Sequence, residues 1–145
     1  MQQPHDRQRP AGILSRHVAP AGRPQPVVTA ATLACAASIL IFGVWAFLAP
    51  ESFSQFIDYA PYNRHLIHDV GAFQIGIGVA MLLALLWSDG LLVALTGFAV
   101  ASGLHTLSHY IDRHIGGHDS DVPALGLLTL VALLAIYARM RRRKS

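Results

Sequence analysis

Apolar residues fall along this chain in four long blocks separated by short polar stretches. The first block, residues 27–49, contains no charged side chain and stops at Pro50. In a helix rising 1.5 Å per residue, a block of that length crosses a hydrocarbon layer of about 30 Å. The second block, residues 65–87, ends at Ser88-Asp89-Gly90, a sequence suited to a tight turn. The third, residues 91–111, is followed by a polar loop at 112–121. The fourth, residues 122–138, has Pro123 in its first turn, where a missing N–H does no harm. Between the first two blocks, residues 50–64 mix Glu51, Asp58, Tyr59 and Tyr62 with Phe53, Phe56 and Ile57. That mixture predicts a short amphipathic piece lying at a membrane interface. Trp45, Trp87, Tyr110 and Tyr137 fall near block ends, where an aromatic belt would sit. The pattern predicts an all-α fold: an antiparallel four-helix transmembrane bundle over residues 27–138, with no visible internal repeat.

The two ends differ from this middle. Residues 1–26 hold five of the eight prolines and little apolar periodicity, which predicts a disordered basic tail. The apolar run after it continues unbroken past Cys35, and Thr32-Leu33-Ala34-Cys35 makes a poor lipoprotein box. The first block therefore reads as a retained anchor and not a cleaved signal. Residues 139–145 form a second basic tail.

Composition reinforces the lipid reading. Hydrophobic residues make up 53% of the chain and charged residues 13%, about half the usual soluble share. A water-soluble domain of 145 residues has too much surface to hide that excess. Nine of the eleven basic residues lie in the two tails, and only Arg64 and Arg113 lie between them. Four spans place both tails on one side, and the bias of Lys and Arg toward the cytoplasm predicts that both termini are cytoplasmic. Basic tails beside a span meet anionic lipid more often than nucleic acid, so the lipid bilayer is the expected partner and nucleic acid is not.

This orientation sends six of the eight histidines outward: His65, His68, His105, His109, His114 and His118. Glu51, Asp58, Asp69, Asp112, Asp119 and Asp121 go with them. In the second block His65, His68 and Asp69 occur at i, i+3 and i+4, one helical face. In the third, His105, His109 and Asp112 occur at i, i+4 and i+7, flanked by Ser102 and Thr106. Imidazole pairs at i and i+4 can chelate one transition-metal ion, such as zinc, copper or iron. The expected metal-site residues are His68, Asp69, His105 and His109, with His65, Asp112, His114 and His118 as further candidates. A haem held by one histidine from each helix, or a polar cavity for a quinone or a proton relay, is the alternative chemistry. Histidines near helix ends also face head groups or tie helices together by hydrogen bonds, a purely structural role. Gly71, Gly76, Gly78, Gly97 and Gly103 are expected to let helices approach closely, and Gln74 to bond to a neighbouring helix.

The stretch Trp45-Ala46-Phe47-Leu48-Ala49-Pro50, together with Pro61-Tyr62-Asn63-Arg64-His65-Leu66-Ile67-His68-Asp69-Val70-Gly71-Ala72-Phe73, resembles small four-helix bacterial membrane proteins of the DoxX-like type. The resemblance spans roughly residues 28–138 and implies a plasma-membrane location and, in some members, partnership with an oxidoreductase. It implies no catalytic residues. Two function classes follow. One is a small accessory or ligand-binding membrane protein with an outward His/Asp cluster, acting alone, as an oligomer or beside another membrane protein. The other is an integral membrane enzyme using that cluster for redox or acid–base chemistry. A transporter is disfavoured, because four spans without a repeat must oligomerise to form a pathway.

Overall fold

A computed structural model describes residues 24–87, 90–115 and 117–142. The predicted disordered tail lies outside the described residues except for its last three, as do Ser88 and Asp89 of the predicted turn. Among the described residues there are five helices and no strand. These are α1 (Pro26–Leu48), α2 (Pro50–Phe56), α3 (Arg64–Leu86), α4 (Leu91–Ile111) and α5 (Asp121–Arg142). Four of them are long and apolar enough to cross a membrane.

Local chemistry sets the helix ends. Proline occupies the first position of α1 and of α2, where its fixed φ is already helical. Asn63 caps α3, its side-chain oxygen accepting the Leu66 N–H at 3.1 Å. The α5 helix runs through Arg142, four residues beyond the point where hydropathy falls. Arginine is a good helix former and suits the negative end of the helix dipole, so helix and hydrophobic span need not end together.

Helix α1 packs along α3, and α4 along α5; the two pairs meet where α5 lies on α1 and α4 on α3. The main core gathers Val28, Cys35, Ala36, Met81, Leu91, Leu95, Phe98, Ala132 and Ala135. A smaller core of Ala46, Phe53 and Ile67 seats α2 across the ends of α1 and α3. Trp45 joins it, meeting Phe53 edge to face and Phe56 at a tilt, while its Nε1–H donates to Ser52 Oγ at 2.7 Å. Outside these cores the helices present apolar surface: Phe73, Leu86 and Val93 are about three-quarters exposed. Only 11–28% of the most apolar stretch of each long helix is buried, an arrangement suited to lipid and not to water.

Glycine explains the α1–α3 contact. A Cβ on Gly71 would lie 2.8 Å from the Gly43 carbonyl oxygen and 2.8 Å from the Phe47 nitrogen, while one on Gly78 would run into Leu40. Gly71 and Gly78 are seven residues apart and share a face. Gly76 lies five residues from Gly71, roughly 140° round the helix, and a Cβ there or on Gly97 would meet nothing within 4 Å. Gly103 makes only ordinary contact with Thr129 at 3.6 Å. The expectation that all five glycines serve close packing is thus corrected to two of them. The glycine opposite Gly71 is Gly43, in the first apolar block. Gln74 packs its Cβ over Gly43, and its buried Oε1 finds no partner among the described residues.

Candidate histidine–aspartate site

The α2 end of the bundle carries the polar groups, and Phe56 of α2 lies 6.2 Å from the His118 ring, joining that helix to the 112–120 loop. On α4, one helical turn brings His105 and His109 together, with their Nε2 atoms 3.1 Å apart and their rings tilted at 59°. One ring must donate and the other accept, and the tautomers decide which. On its other side His109 meets α5: Nδ1 stands 3.5 Å from Asp121 Oδ2. That distance exceeds an ordinary hydrogen bond, so the contact is electrostatic and favours a proton on Nδ1. A neutral His109 of that tautomer leaves Nε2 free to accept from His105.

The loop holds Asp121 in place. The same Oδ2 accepts the His118 N–H at 2.8 Å, and the Asp121 N–H donates to the His118 carbonyl at 3.0 Å. Gly117 makes this turn with φ +84°, a conformation a side chain disfavours. Its missing Cβ also leaves room, since a Cβ there would lie 2.8 Å from Asp121 Oδ2 and 3.6 Å from His109 Nδ1. Asp121 opens α5, where a carboxylate favours the helix dipole.

Below the imidazoles, hydroxyl groups line the α4–α5 seam. Ser102 Oγ lies 2.9 Å from Thr129 Oγ1, and Thr106 Oγ1 lies 3.5 Å from the same atom. Thr106 also donates to the Ser102 carbonyl at 2.8 Å, so these groups are internally satisfied.

The α3 candidates do something else. His65 Nε2 pairs with Asp69 Oδ2 at 3.4 Å on an exposed face, a contact that contributes little to stability. His68 turns to α1 and lies over Phe47, 5.3 Å between centroids. None of the hydrogen bonds, ion pairs or ring contacts among the described residues joins His68 or Asp69 to His105 or His109. His114 is exposed, and Asp112 ends α4 with its N–H on the Ser108 carbonyl at 2.8 Å. Among the described residues, no three His, Cys, Asp or Glu side chains are grouped to hold a metal ion. Sequence reasoning put Asp121 among the outward acids without choosing it. Its place in the first turn of the helix packed on α4 was the available signal. No family model matches the chain, and no curated protein or solved structure matches it.

Proposed function

We propose that this is a small accessory membrane protein that binds a ligand at an open, two-histidine transition-metal site formed by His105 and His109 and oriented by Asp121. The observation that carries the reading is the 3.1 Å separation of the two Nε2 atoms. A tetrahedral zinc ion with bonds near 2.05 Å sets two imidazole nitrogens about 3.3 Å apart, so the pair needs to open by only a few tenths of an ångström. A carboxylate beside the outer nitrogen of a ligating histidine is the usual support for such a ligand. His109 has that carboxylate in Asp121.

Two protein ligands leave coordination positions open. Structural zinc sites close all four with side chains, whereas open positions admit water or an exchangeable ligand. The same openness is what the competing reading, an integral membrane enzyme, would use. Both nitrogens come from successive turns of one helix and approach a metal from the same side. That geometry suits a zinc, copper or iron ion and not a haem iron gripped from opposite faces.

The wider setting is an antiparallel four-helix bundle of the plasma membrane with both termini cytoplasmic and the metal site facing outward. The pairing of Gly43 with Gly71 and Leu40 with Gly78, of Ser102 with Thr129 and Thr106 with Gly126, and of Gln25 near the start of α1 with Ala138 near the end of α5 supports opposed neighbouring helices. The basic tails support the orientation. The DoxX-like resemblance is the reason to look for an oxidoreductase as a partner.

Metal analysis tests the reading. Protein purified after supplementation with zinc, copper and iron in turn should carry about one ion per chain, lost in His105→Ala/His109→Ala and kept in His68→Ala/Asp69→Ala. Substoichiometric metal with every supplement would contradict it.

A further inference from the structure

A second feature at the same end is independent of the histidines. The turn from α1 into α2 and the start of α3 border a shallow, open cleft of ≈ 350 Å³, lined by Glu51, Ser52, Gln55 and Arg64 beneath Leu48. Next to it a cleft of ≈ 290 Å³ shares Glu51 and Gln55 and adds Asp58, Tyr59 and Tyr62. Glu51 and Arg64 thus face one space with opposite charges. Among the described residues neither forms an ion pair.

From this geometry we infer that the joined clefts bind a phosphoethanolamine-type group, a phosphate and a primary ammonium two carbons apart, as the head of a bilayer phospholipid. Arg64 takes the phosphate, for which its planar fork of donors is suited. Glu51 and Asp58 take the ammonium, with the Tyr59 and Tyr62 rings beside it as cation–π surfaces. The adjoining volumes lie at the small end of ligand pockets and suit a head group, not a whole lipid.

Position argues for a lipid source over a soluble one. The cleft sits where two apolar spans end. Leu48 on its wall is 75% exposed, and Phe47 beside it is also exposed. Acyl chains can therefore run down the outside of α1 while the head group stays in the cleft. The aromatic cluster of Phe42, Trp45 and Phe56 holds α2 at this level.

The experiment is native mass spectrometry of the full chain, released from detergent after incubation with phosphatidylethanolamine or phosphatidylglycerol. Wild type should retain phosphatidylethanolamine in preference. Arg64→Gln should lower retention of both lipids roughly tenfold, the loss of one charge-assisted contact. Glu51→Gln should lower retention of phosphatidylethanolamine alone, since the glycerol head has no ammonium. A misfolded variant would lose both lipids, so selective loss in Glu51→Gln cannot come from unfolding. Equal retention of the two lipids by wild type, or no change of preference in Glu51→Gln, overturns the inference. Soluble phosphoethanolamine serves as competitor. Its failure to displace the lipid at millimolar concentration supports the lipid source, and its binding in place of any lipid overturns that source.

Discussion

Alanine at Gly71 would put a methyl carbon 2.8 Å from two backbone atoms of α1, the Gly43 oxygen and the Phe47 nitrogen. Ordinary contact begins near 3.4 Å, so the shortfall is roughly 0.6 Å. No rotamer relieves a clash with backbone, and α1 and α3 must move apart along their crossing. Overpacking of this kind costs about 1–3 kcal/mol. Alanine also gains about 1 kcal/mol over glycine in a helix interior, which masks part of the loss. Gly76→Ala supplies the control: it has the same propensity gain on the same helix, with nothing within 4 Å of the added carbon. The difference between the two variants should therefore be about 1–3 kcal/mol, Gly71→Ala being the less stable. Reversible unfolding in mixed detergent and dodecyl sulfate micelles, followed by far-ultraviolet circular dichroism, measures it. Gly43→Ala should match Gly71→Ala, and the double variant should cost less than both together, because helices already parted accept a second methyl group. Equal stability of Gly71→Ala and Gly76→Ala would refute the close crossing.

Two further outcomes are expected. Gly117→Ala should weaken metal binding, because its Cβ would press on Asp121 Oδ2 at 2.8 Å while making only ordinary contact with the His109 ring at 3.6 Å, and its φ of +84° resists a side chain; unchanged affinity would show that this turn does not support the site. In a Cys35→Ala background, single cysteines at the exposed positions Gln55 and Ser120 should react with an impermeant thiol reagent in intact cells, and cysteines at Ser15 and Ser145 should not; the reverse pattern would invert the orientation.

Much of the architecture was legible in the sequence because lipid imposes a simple demand. Each span must be long, apolar and internally hydrogen bonded, and residues 27–49 or 91–111 state this without ambiguity. Helix faces were harder to read. Hydropathy does not say which side of an apolar helix meets protein, so it does not separate Gly76 from Gly71 or mark Gly43 as a contact position. The histidine cluster was half legible for the same reason. Spacing within one helix correctly makes neighbours of His105 and His109, since i and i+4 is a property of the helix alone. Which groups come from other helices depends on packing. His68 rotates toward Phe47, Asp69 pairs with His65, and Asp121 arrives from α5 through a turn that needs Gly117.

In the proposed site His105 and His109 together grip one metal ion. Copper(II) is the direct probe, because nitrogen ligands leave a countable splitting in its electron paramagnetic resonance spectrum. Protein loaded with one equivalent of copper(II) should show coupling to two imidazole nitrogens, falling to one in either His105→Ala or His109→Ala and staying at two in His68→Ala. Acidification should release the ion, since protons compete for the same nitrogens. A spectrum unchanged by loss of His105 or His109, or one altered by loss of His68, would contradict the claim.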